Sequence, residues 1–368
     1  MRFFENGAEL YPVLKRLISD AKREILISTY AFHNDRVGRE FAVLLAAAAA
    51  RGIRVRVLLD GLGSWGDQEE LLRFLRAGGA EARVFRSGRY LWRRPFSFLY
   101  RNHARLFLFD RKKLGLGGMG IGRIYEKRSD IFWLGDCDEE SSLPQLFEGW
   151  WSLADRSGRL PGAVLGSLPV SGDITALVSG PYLREARIYG WLLSRISSAR
   201  KRIVIASPWF LPPARLLREI AAARRRGVEI KIITPLSTDR ERYDGFRALP
   251  LSMLLSIGVE WYGIREYFHQ KFFLIDEDWW LGSANCDILS LRRNYELGLV
   301  GHGGPVLKRL ENDLDVLVSG KSVKKHPVPR FFRSLWRALY GFLEFWFTAS
   351  PSWLPQRHRE SSISEARP

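Results

Sequence analysis

Residues Tyr267 to Asn285 read YFHQKFFLIDEDWWLGSAN. The apolar run Phe272 to Ile275 has the length of a buried strand and is bounded by polar residues on both sides. His269, Lys271 and Asp276 stand in the order H-x-K-x4-D, and Gly282-Ser283-x-Asn285 follows. Side chains alternate along extended backbone, so His269, Lys271 and Phe273 share one face. One edge of the strand then presents an imidazole and an ammonium together. That pair suits a phosphate ester: the imidazole attacks phosphorus or carries a proton, and the ammonium neutralises the non-bridging oxygens. Ser283 and Asn285 can add hydrogen bonds to the same oxygens or near Lys271.

Working outward, the chain reads as two copies of one pattern. Ala21 to Ile27 is AKREILI and Ala199 to Ile205 is ARKRIVI, each preceded by an amphipathic helix pattern (Leu10 to Ala21, Ile188 to Ala199). Each leads into a strand, then into a helix rich in Ala and Leu (Phe41 to Arg51, Ala214 to Arg226), then into a second strand, RGIRVRVLLD at 51–60 and RGVEIKIITP at 226–235. The step from Ala21 to Ala199 is nearly the same as the step from Arg51 to Arg226, and a constant offset of that size marks a duplicated domain rather than a short repeat. Alternating strands and helices argue for mixed α/β layers. A duplication requires a second copy of the polar motif upstream. It is NHARLFLFD at 102–110, where His103 stands to His269 at nearly that offset, then Arg105 and Asp110, with Gly117-Gly118 beyond.

Both motifs resemble the HKD motif of the phospholipase D superfamily, and Gly282 to Glu296, GSANCDILSLRRNYE, is similar to the bacterial cardiolipin synthase branch. The resemblance runs from Phe4 to near Val300 and includes Asp60-Gly61 and Pro208-Trp209-Phe210. It implies an α/β fold of two homologous phospholipase D-like domains, each a mixed β-sheet sandwiched by helices, related by a pseudo-twofold, with both motifs in one site. The expected division is 1–155 and 176–325 for the domains, 156–175 for a Pro-, Gly- and Ser-bearing linker, and 326–368 for a basic amphipathic segment and polar tail. Trp150-Trp151 are expected to close the first core. The resemblance also implies a chemistry: one histidine attacks phosphorus to form a phosphohistidine, and the other protonates the leaving alcohol and then deprotonates the acceptor. The residues alone leave the order of the two histidines open; analogy makes His103 the nucleophile and His269 the acid/base. Arg105 and Lys271 hold the phosphoryl oxygens. Asp110 and Asp276, counted with the catalytic set, orient and stabilise. Ser283, Asn285, Gly117 and Gly118 belong with the substrate, and Glu296 orients a histidine. No metal or cofactor is implied. This chain departs from the family at Arg105, where Lys is usual, at Gly120, where Asn is usual, and in one fewer residue between Asp276 and Gly282, which implies a tighter turn.

Charge and hydropathy fit a lipid surface. Lys and Arg number 57 against 40 for Asp and Glu, a formal charge of +17 that calls for an anionic partner. With 46% hydrophobic residues the chain is globular, and two cysteines, Cys137 and Cys286, make no disulfide framework. The start, MRFFENGAEL, lacks the apolar core of a signal peptide, and no stretch reaches the ~18–20 apolar residues of a membrane span. Two segments suit an anionic bilayer. Arg86 to Arg101 interleaves Arg93 and Arg94 with Trp92 and other aromatics; Arg330 to Trp353 sets Phe331, Leu335, Trp336, Phe342 and Trp346 beside Arg337 in an amphipathic pattern. The expectation is a phosphatidyltransferase that moves a phosphatidyl group from phosphatidylglycerol, or another phospholipid, to phosphatidylglycerol, bound peripherally to the cytoplasmic face of the bacterial inner membrane. The alternatives are a phospholipase D-type phosphodiesterase acting on phospholipid or nucleic acid, and a membrane-binding protein with an attenuated site. A nuclease has no use for the C-terminal segment, so nucleic acid is not the expected partner.

Overall fold

Seven strands build the sheet of the first half: β1 (Arg2–Phe4), β2 (Glu24–Thr29), β3 (Arg54–Asp60), β4 (Glu81–Phe85), β5 (Leu106–Phe109), β6 (Lys113–Gly117) and β7 (Phe132–Asp136). Their spatial order is β1-β7-β6-β5-β2-β3-β4, with β2, β3 and β4 parallel and the other pairings antiparallel. The second half holds β8 (Gly166–Ser171), β9 (Ile174–Ser179), β10 (Arg202–Ala206), β11 (Phe210–Leu211), β12 (Glu229–Pro235), β13 (Glu260–Ile264), β14 (Phe272–Ile275), β15 (Asp278–Gly282), β16 (Cys286–Asp287) and β17 (Glu296–His302). Its eight-stranded sheet runs β13-β12-β10-β14-β15-β17-β9-β8, and β11 pairs with β16 outside it. Read backwards from β9, this is the order of the first sheet, so the two halves share one topology and β8 is an added edge strand. These elements come from a computed structural model that describes residues 1–66, 68–86, 100–154, 160, 166–181, 185–238 and 241–319.

Local sequence accounts for the elements. The stretch EILIST of β2 is buried along its whole length, as a central strand covered on both faces must be. The helix Gly7–Asp20 starts at Asn6, whose side chain accepts the Glu9 N–H, and buries Leu10, Leu14 and Ile18 on one stripe. Asp35 caps the helix Arg36–Ala50 in the same way. Helices thus cover the outer face of each sheet. The inner faces pack on each other: Leu114, Leu116 and Trp133 of the first half share one core with Leu274, Leu281 and Leu297 of the second. Trp150 and Trp151 are buried in this shared core. Sheet meets sheet around β6, β15 and β17, while the helices Leu143–Ser152 and Gly304–Val318 fill the rest of the inner faces, so each sheet carries helices on both sides. Among the described residues no helix is long and apolar enough to cross a membrane.

Two expectations meet the structure here. The expected linker runs through Thr175, yet 166–171 and 174–179 form the β8–β9 hairpin, held to the first half by Asp138 N–H donating to the Val170 carbonyl and Ser141 Oγ to that of Pro169. Gly166 and Pro169 sit in an edge strand and Gly172 in its turn, where a missing N–H costs no ladder bond. The shortened spacing after Asp276 is a shorter hairpin, as expected: Ile275 pairs with Asp278, whereas Phe109 pairs with Lys113. The stretch holding Trp92, Arg93 and Arg94 and the segment holding Phe331, Leu335, Trp336, Arg337, Phe342 and Trp346 lie outside the described residues.

Candidate active site

His103 and His269 each sit in extended backbone just ahead of a central strand, β5 and β14. What fixes them comes from the other half. The Asn102 backbone bridges to Tyr295, and Phe268 bridges to Ser129. His103 N–H donates to the Tyr295 carbonyl at 3.0 Å, and His269 N–H to the Ser129 carbonyl at 2.6 Å. The side chains repeat the exchange. His103 Nδ1 lies 3.0 and 3.1 Å from the two carboxylate oxygens of Glu296, and His269 Nδ1 lies 2.7 Å from Asp130 Oδ2. Each imidazole is thus oriented by a carboxylate across the interface. Glu296 is an expected orienter of a histidine; Asp130 is one that sequence reasoning missed. The signal was present, because Asp130 precedes Glu296 by the same offset at which His103 precedes His269.

The cations complete one cluster. Arg105 Nη1 donates to the His103 carbonyl at 2.7 Å, lies 3.2 Å from both ring nitrogens, and crosses the Tyr30 ring at 5.6 Å. Lys271 Nζ donates to the His269 carbonyl at 2.5 Å and lies 2.9 Å from Nδ1. All six groups, His103, Arg105, Asp130, His269, Lys271 and Glu296, are buried. Burial lowers the pKa of His103, Arg105 adds to the shift, and Glu296 opposes it. For His269, burial and then Lys271 bring it down to about 3 against the pull of Asp130. Burial opposes the ionisation of both carboxylates, but the neighbouring histidine, Lys271 and Arg105 charges and their hydrogen bonds outweigh it, and both stay below their ordinary values. Ionised carboxylates only accept, so each Nδ1 carries the proton and each Nε2 presents a lone pair. Lys271 is brought down to about 7, by burial first; Asp130 opposes this, while Arg105 and Arg128 add to it. Two neutral imidazoles and two cations in a low-dielectric cleft can bind a phosphodiester, attack it and shuttle a proton.

Other expected residues take different places. Asp110 and Asp276 are not in the cluster. They occupy the hairpin turns at the far ends of β5 and β14, with φ of 53° and 52°. Asp110 accepts backbone N–H bonds from Lys22, Arg23 and Glu24, and Asp276 from Arg200, Lys201 and Arg202. The extended stretch from Lys271 to Asp276 spans about 16 Å at the rise of a strand. Both aspartates tie the hairpin to the entry of the neighbouring strand. Ser283 is wholly buried and donates to Glu296 Oε2 at 2.5 Å, so it positions the carboxylate. Gly118 does the matching service in the first half, since a Cβ there would come within 2.2 Å of Asp130 Oδ1; a Cβ on its neighbour Gly117 would meet the Ile131 carbonyl at 2.3 Å. Asn285 is buried, and its Oδ1 has no hydrogen-bond partner among the described residues. Asp60 is structural: it grips the Arg101 guanidinium at 2.9 Å and the Asn102 N–H at 2.9 Å, fixing the stretch that carries His103.

The chain is similar to known proteins. The family described as "Cardiolipin synthase, PLD-like domain" matches residues 14–128 and 192–318, more than half of the sequence. Cardiolipin synthase B of Escherichia coli (strain K12) is 27% identical across 96% of this chain and 90% of its own length. Cardiolipin synthase A of Pseudomonas syringae pv. syringae (strain B728a) is 29% identical across 80% of this chain, which spans 63% of the length of that relative. Among solved structures, the phosphatidylserine synthase of Haemophilus influenzae Rd KW20 superposes with a TM-score of 0.69 at 16% identity, covering 93% of each chain; at that identity the likeness concerns the fold.

Proposed function

The chain belongs to the phospholipase D superfamily, in its cardiolipin synthase branch, and from that premise we propose that it is a phosphatidyltransferase making cardiolipin from phosphatidylglycerol. The crossed histidine–carboxylate pairs with Arg105 and Lys271 between them carry the reading. Arg105 and Lys271 hold the donor's phosphodiester. His103 Nε2 attacks phosphorus, a P–N bond forms, and the P–O bond to the donor's glycerol breaks. The leaving oxygen takes a proton from His269, whose Nε2 takes that proton up from solution as the phosphate anion binds. The hydroxyl of a second phosphatidylglycerol then loses its proton to His269 and attacks phosphorus, and the P–N bond breaks. The products are glycerol and cardiolipin, and both imidazoles return to their starting state. Burial of the cluster keeps bulk water from the phosphohistidine, which favours a lipid acceptor over hydrolysis.

The reading includes peripheral attachment to the cytoplasmic face of the bacterial inner membrane, an anionic surface that matches the charge of +17. Ile124 and Leu289 support it. They are exposed, stand at equivalent positions of the duplication, and sit in the short helices following the glycine motifs of the two halves. Leu62 and Trp65 are exposed on the loop fastened to Asp60 beside His103. The segment 330–353 is proposed as a further anchor. Purified protein incubated with phosphatidylglycerol vesicles should release glycerol and form cardiolipin, and it should float with those vesicles more weakly as salt rises. Phosphatidic acid as the sole product would make it a phospholipase, and cleavage of single-stranded DNA without lipid product would make it a nuclease.

A further inference from the structure

Arg128 carries a positive charge that the chemistry above does not use. Its guanidinium lies over the Tyr267 ring at 4.8 Å and the Tyr125 ring at 5.7 Å, and no carboxylate or carbonyl among the described residues pairs with it. It is half-buried. The location is specific. Arg128 adjoins Ser129, whose carbonyl holds the His269 N–H, and closely precedes Asp130, which orients the His269 ring. Tyr267, on which it lies, stacks along His269 with centroids 6.3 Å apart. Its charge reaches both His269 and Lys271, lowering the pKa of each.

The duplication shows that this charge is not a general requirement of the fold. At the offset that relates Asp130 to Glu296, the position equivalent to Arg128 is Asn294, a neutral amide 3.4 Å from Glu296 Oε1. The position equivalent to Tyr267 is Arg101, whose guanidinium is neutralised by Asp60. On the His103 side the nearby cation is therefore paired; on the His269 side it is half-buried against two aromatic rings and carries no ionic partner among the described residues. An arginine held this way offers a preorganised fork of N–H donors to an oxyanion.

We propose that Arg128 forms the subsite for the acceptor lipid's own phosphate. This rests on the phosphatidyltransferase reading, in which the acceptor hydroxyl must reach His269 while the donor's phosphorus is held on His103. The headgroup of phosphatidylglycerol puts three carbons between its attacking hydroxyl and its phosphodiester. With Arg105 and Lys271 engaged on the donor phosphate, a second monoanion one headgroup away needs its own cation. Arg128 supplies it on the side where the hydroxyl must dock. The consequence is selection of an anionic acceptor over a neutral alcohol or water.

The test uses full-length protein in detergent micelles, with a fluorescent phosphatidylglycerol donor at fixed low concentration. Transfer to unlabelled phosphatidylglycerol is compared with transfer to 1-butanol and with hydrolysis to phosphatidic acid. Arg128→Gln should raise the KM for acceptor phosphatidylglycerol roughly 10- to 100-fold, as loss of a charged hydrogen-bond pair predicts. Measured at pH 6, where Lys271 is mostly protonated in both proteins, butanol transfer and hydrolysis should stay within about twofold, and Arg128→Lys should recover part of the loss. An equal fall for both acceptors would overturn the assignment and make Arg128 a support of the common chemical step. Unchanged KM for phosphatidylglycerol would overturn it as well. A wild-type protein that transfers to neither acceptor defeats the phosphatidyltransferase reading itself, a result separable from either of these.

Discussion

The two halves present the same pair of groups to the cleft, a histidine and a cation, but not with the same tolerance. His103 shares its proton across both oxygens of Glu296, whereas His269 meets a single oxygen of Asp130 at 2.7 Å. Beside His103 stands Arg105, an always-charged fork; beside His269 stands Lys271, whose pKa falls to about 7. Gly120 and Asn285 diverge for a packing reason. A Cβ at Gly120 would meet the Ala31 carbonyl at 2.4 Å and the Tyr125 ring at 3.1 Å. In the second half the place equivalent to Tyr125 is Ser290, which leaves room for the Asn285 side chain. The missing amide in the first motif thus goes with a close backbone carbonyl and a large neighbouring phenol. Duplication has kept the crossed orientation of both imidazoles while each half settled its own cation and its own filling.

The largest expected effect tests whether the halves are equally necessary. His103→Ala and His269→Ala should each abolish cardiolipin formation, with the double variant no worse than either. Substantial turnover in one single variant would make that half vestigial. Next come the orienting carboxylates. Asp130→Asn and Glu296→Gln leave shape intact but favour the wrong tautomer, and each should lower kcat by roughly 10² or more. A loss confined to Glu296→Gln would break the symmetry proposed for Asp130.

The cations separate by pH. Losing the Lys271 proton removes the ammonium from the donor's phosphate, so kcat/KM should decline as pH rises through about 7, the value set by burial and the neighbouring charges. Lys271→Arg, which copies the first half, should carry that decline to higher pH. Arg105→Lys should introduce a new alkaline decline, and pH–rate profiles of the three proteins decide this directly. The smallest effect on activity belongs to the motif aspartates. Asp110→Ala and Asp276→Ala strip backbone N–H groups of their acceptor and should each cost about 1–3 kcal/mol of stability in denaturant titrations, with turnover of the folded protein within a few-fold. A collapse of kcat without loss of stability would return these residues to the chemistry.

Much of this was legible in the chain. The near-constant offsets, AKREILI against ARKRIVI and NHARLFLFD against FHQKFFLID, give the duplication, the strand–helix alternation and the histidine–cation pairs, because hydrophobic period and motif spacing are local properties. Alternation along extended backbone correctly put Lys271 beside His269. What no local pattern carries is the partner of each histidine. Asp130 and Glu296 lie far along the chain from the imidazoles they hold, and they reach them only because the two sheets dock face to face and each half lends its carboxylate to the other. The same docking decided against the motif aspartates: a strand of fixed rise carries Asp110 and Asp276 away from the cleft at whose edge it leaves the histidines. The sequence determined which groups the site has; the packing of two sheets decided which of them meet.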